Sequence, residues 1–215
     1  MKGIWLIAAT VLLSLLTLGA GPSTAAQEPI PVQFSGLLND YSPSTVTGGP
    51  WEMHGQWALS INAWSGVGDF SADLTMSGYG KTSTGAPDPT QGGQSAHTHH
   101  IRLTGITVVW NTAGCPTYSP GTFGGFQLTG TVSLLTGNGS NAAFETSPPS
   151  STLQVCVSGG EGNDSVPFSN ITLTFGSNSP AIKHFGSQSI HGVVRGWNQQ
   201  WDALRRFGIA PQAFK

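Results

Sequence analysis

The sequence predicts an all-β protein: an antiparallel β-barrel of about eight strands, followed by a short C-terminal amphipathic helix. Three observations carry this. Apolar and polar residues alternate with period two along most of the chain, as in strands with one buried face. The stretches between are rich in Gly, Pro, Ser and Asn, the residues of turns and loops. Gly55, Gly105, Gly130, Gly192 and Gly196 fall inside or beside strand patterns. Mid-strand glycines permit sharp bends and bulges, which favours a curved, closed sheet over the alternative, a flat sandwich.

Taken in order, the chain opens with a targeting signature. Lys2 is followed by an apolar run from Ile4 to Leu18, and small residues (Thr24 and Ala26, or Ser23 and Ala25) suit signal-peptidase cleavage. The run is short for a membrane span, which needs roughly 20 residues. We therefore expect a cleavable signal peptide over 1–26, a barrel domain over 27–196 and a C-terminal helix and tail over 197–215. The stretch VQFSGLLN adds an edge or closing strand. In WEMHGQWALSIN, Trp51, Met53, Trp57, Leu59 and Ile61 alternate with polar residues, placing both tryptophans inward. AWSG reads as a hairpin turn, and GVGDFSADLTMSGY returns with Phe70, Ala72, Leu74 and Met76 on one face. A long loop, Thr82 to Ala96, precedes the strand HHIRLTGITVVW. In GFQLTGTVSLLT, Phe126, Leu128, Val132 and Leu134 share a face, and TLQVCVS, FSNITLTFG and SQSIHGVVRG complete the set. The tail differs: Trp197, Trp201 and Leu204 recur at helical spacing, Arg205 and Arg206 suit a helix C-terminus, and Gly208 and Pro211 end it. That helix, from about Asn198 to Phe207, is expected to pack on the barrel.

Composition narrows the function classes. Charged residues make up only 8% of the chain, against a usual quarter, so solubility rests on hydroxyls and amides. The formal charge is −2 and no basic patch exists, which disfavours nucleic acid and anionic membranes as partners. Beyond the leader no second long apolar run follows, so no membrane association is expected after cleavage. The two cysteines, Cys115 and Cys156, both fall in the exported part, where a disulfide is the default. The whole points to a secreted or periplasmic protein. The sequence does not indicate the oligomeric state.

One stretch suggests chemistry. SAHTHHIRLTG holds three of the six histidines at a strand entrance. Alternation places His97 and His99 on one face with Ile101 and Leu103, and His100 on the other with Thr98 and Arg102. Two imidazoles at i and i+2 lie roughly 7 Å apart at the backbone and can converge on one cation. A transition-metal site wants three or four such donors, so His97 and His99 need a third ligand. His54, His184 and His191 are the histidine candidates, and Glu52, Asp69 and Asp73 the carboxylates. The ion expected is a divalent transition metal, zinc or copper. His97, His99 and His100 alternatively contact a small-molecule ligand, or act as acid and base without tuning. The bland alternative is a wet strand end whose histidines bond to loops and water.

Other chemistries lack their marks. No Gly-x-Ser-x-Gly elbow and no phosphate-binding glycine pattern occur. HTHHI resembles the His-x-His of cupins, but Ile101-Arg102-Leu103-Thr104 follows without the glutamate that pattern requires. The expectation is a secreted β-barrel module binding a small ligand or metal. A metal-assisted or histidine acid/base enzyme on the same cluster and a purely structural domain are the alternatives.

Overall fold

The computed structural model describes residues 31–62, 65–110, 115, 125–138, 149–158 and 169–197. The leader at 1–26 and the tail helix from Asn198 lie outside them. Among the described residues there are twelve strands: β1 (Pro31–Tyr41), β2 (Trp51–Asn62), β3 (Val67–Gly78), β4 (Gly80–Lys81), β5 (Pro87–Asp88), β6 (Gln94–Thr107), β7 (Val109–Trp110), β8 (Phe126–Thr131), β9 (Leu134–Asn138), β10 (Thr152–Ser158), β11 (Asn170–Phe175) and β12 (Ile190–Trp197). One helical turn, α1 (Ile182–Phe185), precedes the last strand.

Ten strands form a single antiparallel sheet in the order β7-β8-β10-β11-β12-β1-β2-β3-β6-β9. The VQFSGLLN stretch is the closing strand of the alternatives expected for it, since β1 pairs with both β2 and β12. The two ends of the order belong to neighbouring chain segments. β6 runs on into β7, and β8 into β9. β6 pairs with β9 (Arg102↔Leu134) and β7 with β8 (Val109↔Gln127), two stretches of one ladder in one register. Between them the seam is filled by side chains: a Cβ on Gly130 would lie 2.6 Å from Cδ1 of Ile106. The sheet therefore curls until its ends meet, and the all-β, barrel-like expectation holds.

The inward face follows the period-two pattern. Trp51, Met53, Trp57, Leu59 and Ile61 are buried from β2, and Phe70, Ala72, Leu74 and Met76 from β3. Their partners across the interior include Phe34, Phe126, Leu128 and Leu173. Side chains thus fill the barrel, as in other small closed sheets. Gly55 shows why glycine stands mid-strand: a Cβ there would collide with the Asp73 carbonyl and lie 2.8 Å from Leu74 Cδ2.

One phase differs from expectation. Leu134 is 40% exposed, whereas Leu135 is buried. The cause is a change of partner. Val132 donates its N–H to Ser151 ahead of β10, and Ser133 donates to Arg102 of β6. The chain crosses from one neighbour to the other at this kink and slips by one residue, which turns Leu134 outward.

The stretch expected as a long loop is locally folded. β4 and β5 pair with each other, and a 3-10 turn, Pro89–Gln91, is capped by Asp88, whose carboxylate accepts from the Thr90 N–H at 2.9 Å. Cys115 and Cys156 form a disulfide across 41 positions of chain, and both are buried. That bond, and among the described residues the lack of a helix long and apolar enough to cross a membrane, are compatible with an extracytoplasmic protein.

Candidate metal centre

The six histidines divide three and three. His54, His100 and His191 lie on the outer face of the sheet, each against a carboxylate. His54 meets Glu52 at 2.8 Å, His100 meets Asp73 at 2.7 Å, and His191 meets Asp40 at 2.8 Å. The hydrogen bond from His100, aided by Arg102, holds the Asp73 carboxyl below the usual carboxylate range. Asp69 accepts the Gly105 N–H at 2.7 Å. None of the three candidate carboxylates joins the other histidines.

His97, His99 and His184 point inward and meet. Alternation along β6 delivers the first two, with His97 3% and His99 0% exposed beside fully buried Ile101 and Leu103. His184 arrives from α1, 85 residues after His99. Its Nε2 lies 2.9 Å from Nε2 of His97 and 3.1 Å from Nε2 of His99. All three ligand atoms fall within 4.8 Å of one another. Of the third ligands the sequence offered, the structure brings in His184 and leaves out His54 and His191. His100, grouped with this cluster as a ligand contact, faces the other side of the sheet with Asp73.

Two backbone carbonyls orient the rings. The carbonyl oxygen of Ser95 lies 2.9 Å from Nδ1 of His97, and that of Thr136 lies 3.2 Å from Nδ1 of His99. A carbonyl only accepts, so each Nδ1 carries a hydrogen, and a ring in its neutral form then turns an Nε2 lone pair toward His184. Metal-ligating histidines are commonly fixed by such a bond from the second ring nitrogen. Ser95 is the one described non-glycine residue at positive φ, 51°. This left-handed residue opens β6 and aims its carbonyl at the His97 ring.

Ligands 2.0–2.1 Å from a tetrahedral ion stand about 3.3 Å apart. The two separations to His184, 2.9 and 3.1 Å, come within a few tenths of an ångström of that, and all three fall within 4.8 Å. Both of these contacts converge on the single Nε2 of His184. A cation accepts all three pairs at once.

The rings are walled by aromatics. Trp51 meets His97 edge-on at 4.9 Å, and Phe185 packs against His99 at 5.1 Å and stacks on Phe175 at 5.0 Å. Trp51 is itself fixed, because its backbone N–H donates to the Ser42 hydroxyl and its indole N–H to the Thr47 carbonyl. The turn bearing His184 is tied to β10: Ala181 N–H donates to Ser151 Oγ and Thr152 N–H to Ser179 Oγ. Gly186, at φ 92°, then turns the chain against Pro43, where a Cβ would lie 2.5 Å from Cδ.

Burial removes the water that would solvate an imidazolium. It lowers the His99 pKa to about 3, with the neighbouring His184 and His97 adding repulsion. His184 falls to about 4 for the same first reason, reinforced by His97. Both rings are therefore neutral at pH 7, the form that binds metal without first losing a proton. His184 is the most open of the three.

A groove of about 620 Å³ on the outer face, between Ser35, Ser60, Ser71, Arg102 and Trp197, lies apart from the cluster. No family model, curated protein or solved structure matches this chain.

Proposed function

We propose that this protein is a secreted β-barrel module that binds one transition-metal ion through His97, His99 and His184. One observation carries the reading. Three imidazole ligand atoms lie within 4.8 Å of one another, two of them on rings whose opposite nitrogens are held by carbonyls. A polar strand end that merely bonds to water has no reason to hold three rings in mutual contact with two of them buried. The disulfide and the leader-like N-terminus support export. The weak net charge gives no reason to expect nucleic acid or a membrane surface as partner.

A second reading is metal-assisted catalysis, with a small molecule as substrate or ligand. Three protein donors leave a fourth coordination position, the arrangement of catalytic rather than structural sites. The partly open His184 side is where that ligand would enter.

The test is elemental analysis of the mature protein, purified without a histidine tag, beside His97→Ala/His99→Ala. The expected result is near-stoichiometric metal that the double variant lacks. Protein that stays metal-free after equilibration with zinc, copper and iron salts would sink the metal reading. Turnover of oxidative or hydrolytic substrates by the loaded protein alone would favour the enzyme.

A further inference from the structure

We infer that the three-histidine site is built for monovalent copper. The inference rests on the reading of these histidines as a metal site and specifies its ion.

Charge is the first argument. The donors are imidazoles, neutral when they bind metal, and two of them are oriented by neutral carbonyls. The carboxylates Asp40, Glu52 and Asp73 are spent on the three outer histidines. A bound ion thus keeps nearly its whole charge inside a wall built from Trp51 and Phe185. The cost of burying a charge rises with its square, so a divalent ion pays about four times the desolvation of a monovalent one. A divalent ion would also need an anion or water in the fourth position. Cuprous copper is satisfied by three donors.

Softness is the second argument, and it is independent of the first. The chain has three methionines, one of them the initiator. The other two, Met53 and Met76, are both 0% exposed in the barrel interior. Met76 is the cross-strand partner of His97, and Met53 is the cross-strand partner of Met76. Directly paired side chains on one sheet face start roughly 5 Å apart, so the Met76 side chain leaves the sheet next to that of His97. A thioether is a soft donor that suits copper(I), whereas magnesium and calcium want oxygen.

The test is competition. Metal-free, tag-free mature protein is titrated without oxygen with copper(I) against bicinchoninate, and separately with zinc(II) against a zinc-chelating dye. The expected result is one copper(I) per chain, held tighter than zinc(II) by on the order of 100-fold or more. Met76→Leu conserves volume and should fold. It is expected to weaken copper(I) roughly tenfold and leave zinc(II) unchanged. Zinc(II) bound as tightly as copper(I) would overturn the cuprous inference while the metal reading stood. Neither ion binding would overturn both. Equal loss of the two ions in Met76→Leu would remove the thioether from the argument.

Discussion

Replacing His99 with leucine separates what the ring does for folding from what it does for a metal. At pH 7.5, without metal, the variant loses the bond from Nδ1–H to the Thr136 carbonyl. One such part-buried bond is worth about 1–2 kcal/mol. The leucine should be less stable by that amount. Acid changes the comparison. In the unfolded chain His99 takes a proton near pH 6.5, whereas burial holds it near 3 in the folded chain. Between these values the unfolded state binds the extra proton, so wild-type stability is full above about pH 6.5 and falls as pH drops toward 3. Each pH unit costs about 1.4 kcal/mol, or about 2 kcal/mol from pH 6.5 to 5. Leucine escapes this loss, so the two stabilities should meet near pH 5. His184, lowered to about 4, gives both proteins a similar slope of its own, weakened by its greater exposure. With metal at 100 times its dissociation constant, the wild type gains about 2.7 kcal/mol and the variant nothing. Urea unfolding from pH 8 to 5, with chelator and with metal, measures all of this. Parallel pH profiles would refute the buried neutral ring, and equal metal-induced shifts would refute the ligand assignment.

The outer histidines supply the contrast: alanine at His54, His100 or His191 breaks an exposed pair, should change stability by less than about 1 kcal/mol, and should leave metal content intact. Loss of metal in any of these variants would show that the site has been misplaced. Replacing Cys115 and Cys156 with serine opens a loop spanning 41 positions, for which chain entropy gives a loss of about 4 kcal/mol. An unchanged urea midpoint in the double variant would contradict that covalent closure. Gly36→Ala forces a Cβ against the Val193 carbonyl and to 2.7 Å from the Trp57 indole nitrogen, at the join between first and last strands. A cost of about 3 kcal/mol or more is expected, and amide exchange should rise first along β1 and β12.

Much of the fold was legible because a strand with one wet face writes its orientation into alternate residues. Trp51 through Ile61 and Phe70 through Met76 show this, and the same rule put His97 and His99 inside. Alternation failed where the chain changed partner, since the slip at Ser133 that turns Leu134 outward comes from which strand lies alongside. Which of the candidate histidines joins the pair was not legible, for a related reason. His184 sits on a single helical turn in SPAIKHFG, too short for any periodicity, and only closure of the sheet carries it to β6. The flanking Ala181 and Phe185, both buried, mark the turn as packed, but nothing local says against what. The carbonyls of Ser95 and Thr136 have no sequence signature, because they are backbone. Even so, the three outer histidines each have an acidic partner nearby on the sheet, and for His54 that partner, Glu52, is visible two residues away.

The most direct test is anomalous X-ray diffraction from crystals of the tag-free protein loaded with copper, collected on both sides of the copper absorption edge. One anomalous peak per chain is expected, about 2.0–2.1 Å from each Nε2 of His97, His99 and His184. A peak at the outer histidines, or none in the interior of a loaded chain, would contradict it.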